Sequence, residues 1–451
     1  MSLRFSPLNR LVQALVAASA LTLALPASVS AQSIQELYDA ARAYDATYLA
    51  ARALADSAQY RRDQAKALMR PTVGLTAAVD RNLLNLPGPT SNAYANQVNG
   101  GVAAQQPLFN RANSVSIDQA ERGFEIAAAD LETAEQDLIV RLTQSYFDVL
   151  AAQDTLTAAS ANKSAIAEQL ASAKRNFEVG TATITDQREA QARFDLANAQ
   201  VIAAENDLAV KRVALDILVG RQNVKPTPLA IPLPAPLGGI NATPLDTWVA
   251  QTDFAPVVRK ASLGLDIAKL ETEKARAGHL PIVNLVGRYG AGEVSNISGS
   301  RAGFTSGGTS SGSIGVEATL PIFAGFAVQN RIKETLQLEE QSRNQLEAAR
   351  RAVNQATRQS YLSVQSGEAS VRAFEAAEAS NKLALEATQL GFKVGVRVNL
   401  DVLNASTQLF ATQRDLALAR YNVIIGNLRL RQAAGTLKPE DVGLITPLLV
   451  R

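Results

Sequence analysis

The sequence contains no cysteine and only one histidine among its 451 residues. The lack of cysteine excludes disulfide bonds, thiol catalysis, zinc-thiolate sites and acylation of an N-terminal cysteine. His279 alone cannot form a histidine metal cluster, and its place before Leu280 and Pro281 favours a helix-to-strand junction. The formal net charge is only +2, and no basic stretch is interleaved with aromatic residues. We therefore expect no cofactor, no metal site, no enzyme constellation and no nucleic-acid partner.

Long apolar runs are also missing after the first residues of the chain. Arg4 and Arg10 precede a short apolar stretch, residues 11–25, and small residues surround Ala31. This order is typical of a cleaved signal peptide, which we expect at residues 1–31. No later stretch approaches the roughly 20 apolar residues of a transmembrane helix. The sequence therefore predicts an exported protein that is secreted, periplasmic or an outer-membrane β-barrel.

Proline is absent from two long segments, Leu108–Lys225 and Ile322–Lys438. Both segments are rich in Ala, Glu, Gln, Leu and Arg, which favour helices. Apolar residues recur at steps of three and four in both, which predicts amphipathic helices. Each segment has one break, at Gly180 or Gly395, where glycine suits a helix C-terminus. We therefore expect one long helical hairpin in each half of the chain.

The two halves also repeat each other. The sequence FEVGTATITD at residues 177–186 returns as FKVGVRVNLD at residues 392–401, about 215 residues later. Other matches are Tyr146 with Tyr361, Gly220 with Gly435, and, after a slip of one residue, Pro107 with Pro321. A spacing this long indicates a duplicated subdomain and excludes a short solenoid repeat.

Strand-like alternation precedes each hairpin. Ile314, Val316 and Leu320 share one side of a strand, with polar or small residues between them. Similar alternation predicts strands at about 72–82, 97–109, 282–292 and 312–323. A soluble sandwich is the alternative explanation, but four isolated strands would form a poor soluble core. The predicted organisation is a signal peptide at 1–31, a first repeat at 32–222 with its hairpin at about 111–220, a proline-rich linker at 223–243, a second repeat at 244–437 with its hairpin at about 326–435, and a tail at 438–451.

Four strands per chain are too few for a membrane barrel, since known barrels begin at eight. Only an oligomer could close one, with the charged helices projecting into an aqueous compartment. The motifs VGxxxITD (179–186) and VGxRxxxDVL (394–403), followed by ARYN (419–422), resemble those of the TolC family of outer-membrane efflux and type I secretion channels. The order of elements resembles that family over the whole mature chain.

The resemblance implies a mainly α fold with a β-barrel part. Three chains would form a twelve-stranded outer-membrane β-barrel on a long periplasmic α-helical barrel, in contact with outer-membrane lipid. It also implies a periplasmic adaptor and an inner-membrane transporter of the ABC or RND type as partners. Because no cysteine is present, the chain is similar to the unacylated branch of the family.

Residue roles at the periplasmic entrance follow from the same resemblance. Asp401 would form a pore constriction, with Asn404 where the family often has a second acidic residue. Arg397 on the inner coil would link to Asp186 and Thr185 on the outer coil, and Phe392 stands where the family has a bonding tyrosine. The expected adaptor-contact tips are Val179, Gly180, Thr181, Val394, Gly395 and Val396.

Three of these residues could instead have purely structural roles. Asp401 could simply complement a helix dipole, Asp186 could complete a capping box with Thr183, and Arg397 could be a solvated loop residue. The leading functional hypothesis is an exit duct that is gated at its periplasmic tip. The alternative is an exported coiled-coil scaffold or adhesion protein without a pore. The sequence does not separate drug efflux from protein secretion.

Overall fold

The computed structural model describes residues 33–85, 92–181, 183–230, 243–298 and 307–449 of the chain. The expected signal peptide and most of the proline-rich linker lie outside these residues. The described part is mostly helical, with one sheet of four strands. Its element order is two short helices, two strands and a long helical hairpin, followed by the same series again.

Each half begins with a short pair of helices. The first half has α1 (Ile34–Tyr44) and α2 (Ala46–Lys66), separated by Asp45. The Asp45 carboxylate caps α2 by accepting a 2.8 Å hydrogen bond from the Tyr48 N–H. In the second half, the pair of helices is α5 (Leu245–Gln251) and α6 (Pro256–Arg276). A short 3₁₀ turn ending at His279 follows α6 and leads into a strand, which confirms the predicted helix-to-strand junction.

The long helices form the two expected hairpins. In the first, α3 (Arg111–Glu178) has 68 residues and α4 (Ile184–Val219) returns beside it. In the second, α7 (Ala327–Lys393) has 67 residues and is followed by α8 (Asn399–Ala433). At 1.5 Å per residue, each long arm extends about 100 Å. Each hairpin therefore carries its turn far from the sheet.

The strands form one antiparallel sheet in the order β1 (Thr72–Asn85), β2 (Asn92–Phe109), β3 (Ile282–Ser298) and β4 (Gly307–Thr319). The pairing of β2 with β3 joins the two halves. Four strand ends, the last residues of β1 and β3 and the first residues of β2 and β4, extend further into the connecting loops than expected, because backbone pairing continues through small and polar residues whose alternation is weak. In contrast, β4 ends at Thr319, short of the expected residue 323.

The two faces of the sheet differ in polarity. Val73, Leu75 and Val79 lie on one face, and 71–80% of each side chain is exposed. Val102, Tyr289 and Ile314 lie on the same face, as the pairing register shows. The opposite face carries polar groups: Gln97 bonds to Asn82 and Asn99, and Arg288 lies 4.0 Å from Glu317. One chain therefore leaves an apolar sheet face uncovered.

The largest buried cluster lies around the middle of α3, against the C-terminal parts of α4 and α8. Tyr146, fully buried, donates a 2.9 Å hydrogen bond to the Thr227 carbonyl. Phe147 contacts Tyr146 edge to face and stacks on Tyr421 at a centroid distance of 5.3 Å. The repeat partner Tyr361 is only partly buried, beside a separate cluster that contains Trp248. The two halves therefore share a sequence pattern without sharing identical cores.

Candidate functional site at the hairpin tips

The turn of the first hairpin is closed by local hydrogen bonds. Gly180 has a left-handed backbone with φ of 78°, and its N–H bonds to the Phe177 carbonyl at 3.0 Å. Helix α4 then starts at a capping box. The Asp186 N–H donates to Thr183 Oγ1 at 3.2 Å, and Asp186 Oδ2 accepts from the Thr183 N–H at 3.0 Å. The predicted glycine turn and capping box are confirmed.

The second turn has the same glycine geometry, but the helix that follows it begins differently. Gly395 has φ of 81°, and the N–H groups of Val396 and Arg397 both bond to the Gly391 carbonyl, at 2.9 and 3.2 Å. Helix α8 has no side-chain cap at Val398. Gly391 also leaves room for the Arg397 side chain, since a Cβ at residue 391 would lie 2.8 Å from Arg397 Cγ. The arginine stem therefore packs directly on this glycine.

Apolar side chains at both turns are exposed to solvent. Val179, Val394 and Val396 each expose 66–75% of their surface, and Val398 and Ile184 beside them are also exposed. These residues include the three valines among the predicted adaptor-contact positions, at the turns that the long helices carry far from the sheet. A cluster of exposed apolar groups is typical of a partner surface. The structure brings the predicted residues of each turn together, and their contact with an adaptor stays a prediction.

Arg397 and Asp401 meet at the start of α8. Arg397 Nη1 lies 3.6 Å from Asp401 Oδ2, and both side chains are more than one third exposed. An exposed pair of this kind contributes about 0–1 kcal/mol. Thr185 is exposed, and the Asp186 carboxylate bonds within the capping box to Thr183. Among the described residues of a single chain, the recorded ion pair of Arg397 is the one with Asp401, so its link to Asp186 and Thr185 stays a prediction.

Asn404 makes a contact that the sequence did not suggest. Its Oδ1 accepts a 3.3 Å hydrogen bond from Arg193 Nη2, which joins α8 to α4. Asn404 therefore contacts the first hairpin through a neutral amide. Phe392, where the resemblance implies a tyrosine, is half-buried at the end of α7. Its carbonyl accepts the Gly395 N–H at 3.1 Å.

Leu403 is a buried residue at the tip that sequence reasoning missed. It is 2% exposed and packs in a cluster on the first hairpin formed by Ile166, Leu170, Ala173, Ala190, Ala197 and the partly buried Phe194. The apolar spacing of α8 could have marked Leu403 as buried, but its partners are more than two hundred residues away in sequence. Leu403 and the Arg193–Asn404 bond together hold the start of α8 against the first hairpin.

Other kinds of site find little support in this part of the chain. Among the described residues, no group of three or more His, Cys, Asp or Glu side chains is placed to hold a metal ion. Across the same residues, no helix has an apolar stretch long enough to cross a bilayer. The chemistry at the tips is therefore that of charged and apolar side chains arranged around two turns.

Comparisons with known proteins agree with this arrangement. The family described as "Outer membrane efflux protein" matches residues 37–221 and 254–436. Outer membrane protein TolC of Vibrio cholerae is 33% identical over 419 residues, covering 93% of this chain and 94% of that protein. Alkaline protease secretion protein AprF of Pseudomonas aeruginosa is 31% identical over 351 residues, covering 76% and 71%. The crystal structure of outer membrane protein VceC of Vibrio cholerae matches with a TM-score of 0.75 at 18% identity, covering 89% of this chain and 96% of that one.

Proposed function

The chain belongs to the outer membrane efflux protein family, and on that premise we propose how it works as an outer-membrane exit duct for efflux or type I secretion. In this proposal, three copies close a twelve-stranded barrel in the outer membrane. Their helical hairpins form a periplasmic tube, and substrates pass through it without a chemical reaction.

The observation that carries the proposal is the two-faced sheet. Its apolar face is exposed over Val73, Leu75 and Val79, while Arg288 and Glu317 lie on the opposite face. Lipid on one side and a water-filled lumen on the other would satisfy both faces. Both edges must also be paired, because unpaired backbone groups are costly in lipid. Four strands cannot close on themselves, and three copies would supply twelve.

The hairpin tips would form the gated entrance. A ring of three Asp401 carboxylates around the axis would attract cations and repel anions. Because Asn404 is neutral and bonds to Arg193, we propose a single acidic ring with weak cation selectivity. Arg397 would link to Asp186 and Thr185 of the outer coil when three copies assemble. Each such charge-assisted bond is worth about 1.5–3 kcal/mol, so a few per trimer could bias a two-state entrance.

The exposed valines at the tips would bind a periplasmic adaptor. This adaptor would connect the duct to an inner-membrane transporter of the ABC or RND type. The names of the relatives include both efflux and protease secretion, so the cargo of this chain is left open between the two. The family match favours the duct over a scaffold or adhesion protein without a pore.

Single-channel recording of Arg397→Ser tests the gate. If Arg397 holds the entrance closed, the variant has a larger conductance than the wild type. Arg343→Ser is the matched control, because Arg343 is also exposed and paired, with Glu339 and Glu340, but lies far along α7 from the tip. Equal conductance in Arg397→Ser and the wild type would refute the closing role. Absence of channels in both, from folded trimeric protein, would favour the scaffold.

A further inference from the structure

The sheet of one chain has two open edges. β1 and β4 are the outer strands of the order β1-β2-β3-β4, so within the described part of the chain each pairs on one side only. An open, apolar strand edge is a template for pairing with another chain. The internal repeat specifies which residues would meet there.

The repeat assigns a counterpart to each strand residue. The sequence PTVGL at residues 71–75 returns as PIVNL at 281–285, and GVAA at 101–104 returns as GVEA at 315–318. The hairpin registers agree with these matches, because Val73 pairs with Ala104 and Val283 pairs with Ala318. β3 is therefore the counterpart of β1, and β4 the counterpart of β2, residue by residue.

The junction between the halves then provides a template for the junction between copies. Inside the chain, β2 pairs with β3 through Val102–Tyr289 and Ala104–Gly287. The counterparts of these four residues are Val316, Val79, Ala318 and Ala77, respectively. We propose that β4 of one copy pairs antiparallel with β1 of a second copy, Val316 opposite Val79 and Ala318 opposite Ala77. This proposal rests on the duct proposed above and specifies its subunit register.

The polarity of the sheet supports this register. Val79 and Val316 are both exposed and both lie on the apolar face. Opposed residues of an antiparallel pair share a face, so the proposed register continues the apolar face from one copy to the next. If β4 slipped by one residue against β1 of the next copy, Val79 would stand opposite residues that face the polar side, which is the side of Ser313. The polarity pattern excludes slips by an odd number of residues, and the repeat selects this register from those that remain.

The charges on the helices next to the sheet also agree with this pairing of copies. Inside the chain, Gln119 of α3 donates a 2.8 Å hydrogen bond to Glu271 of α6. Their counterparts are Glu334 of α7 and Arg61 of α2, which have opposite charges. The junction between copies would therefore replace a neutral-to-acidic hydrogen bond with an ion pair.

Cysteine crosslinking of the full-length protein tests the register, because the natural chain has no cysteine. Two double variants are in register, Val79→Cys with Val316→Cys and Ala77→Cys with Ala318→Cys. Two more use the same four positions with exchanged partners, Val79→Cys with Ala318→Cys and Ala77→Cys with Val316→Cys. Disulfides within one chain are excluded, since three strand spacings separate the edges by about 14 Å.

We expect the in-register variants to form covalent dimers and trimers about tenfold faster than the exchanged ones on oxidation, because diagonal residues are too far apart for a relaxed disulfide. The four single variants are the controls. A short bis-methanethiosulfonate reagent also spans the diagonal distance, so it tests only whether β4 of one copy lies beside β1 of another.

Faster crosslinking of the exchanged pairs would overturn the register. So would the absence of crosslinks by either reagent in all four double variants when native electrophoresis shows intact trimers. These outcomes refute the register but not the proposed function if the wild type still forms channels. A wild type that is monomeric and forms no channels would instead refute the proposed function.

Discussion

Replacement of Leu403 by alanine should loosen the entrance. Leu403 is 2% exposed, and its side chain packs on the first hairpin near the tip. It belongs to α8, which also carries Asp401. If the entrance opens when the second hairpin moves away from the first, Leu403 must leave its cluster. The variant therefore removes an interaction that only the closed arrangement makes.

The size of the effect follows from the burial. Truncation of a buried leucine costs about 2–5 kcal/mol in a compact core. The cluster around Leu403 is small and includes the alanines Ala173 and Ala190, so we use the lower value, about 2 kcal/mol. This energy corresponds to about a 30-fold increase in the ratio of open to closed entrances. The Arg193–Asn404 bond is exposed and adds less.

Planar-bilayer recording of purified trimers measures this ratio as open probability and conductance. Leu383→Ala is the matched control, because Leu383 lies near the tip end of α7 and is 67% exposed, whereas Leu403 near the tip end of α8 is buried. We expect a clear increase for Leu403→Ala and none for Leu383→Ala. The reasoning is refuted if the trimeric Leu403→Ala protein records like the wild type, since the buried leucine would then not resist opening.

Three further predictions concern named contacts. Gly391→Ala should raise conductance in the same direction as Arg397→Ser but less, because the added Cβ displaces the Arg397 stem; Gly264→Ala, which meets no atom within 4 Å, is its control in the same recording. Asp45→Asn should lower the thermal unfolding temperature at neutral pH, because the hydrogen bonds from Arg141 lower the pKa of the Asp45 carboxyl. The wild-type contribution of Asp45 is therefore lost as pH falls through that lowered pKa, and an unfolding temperature equal to the wild type at neutral pH would contradict this. Asp154→Asn should have the opposite pH dependence: burial raises the pKa of Asp154 although Tyr421 donates to it at 2.5 Å, so the wild type loses stability as pH rises from about 4 and the variant does not. The measurement is the unfolding temperature of the wild type and of both variants across that pH range. The account is contradicted if, as pH rises, the unfolding temperatures of the two variants change in the same direction relative to the wild type.

The sequence predicted well those features that depend on neighbouring residues. The capping box of Thr183 with Asp186 and the left-handed Gly180 and Gly395 follow from residue types within a few positions. The long helices follow from proline-free segments with a regular apolar spacing. The pairing of Arg397, in the turn before α8, with Asp401, in the first turn of α8, is also local, while the predicted link of Arg397 to Asp186 and Thr185 stays a prediction.

Contacts between distant segments were not predictable in the same way. Leu403 finds its partners on α3 and α4, and Asn404 bonds to Arg193 across the hairpins. Nothing near these residues in the sequence specifies such partners, because the packing of four long helices determines them. The strand ends were also misjudged, since backbone pairing in β1 to β4 continues where side-chain alternation stops.

The most direct test of the central claim is the reversal potential of single channels across a potassium chloride gradient, for the purified wild type and Asp401→Ala. The account predicts discrete channels that prefer cations and a weaker preference in the variant, because three carboxylates leave the entrance. Folded, trimeric protein that gives no discrete channels, even with Arg397→Ser, would contradict the duct. Channels with equal selectivity in the wild type and Asp401→Ala would contradict the proposed aspartate ring.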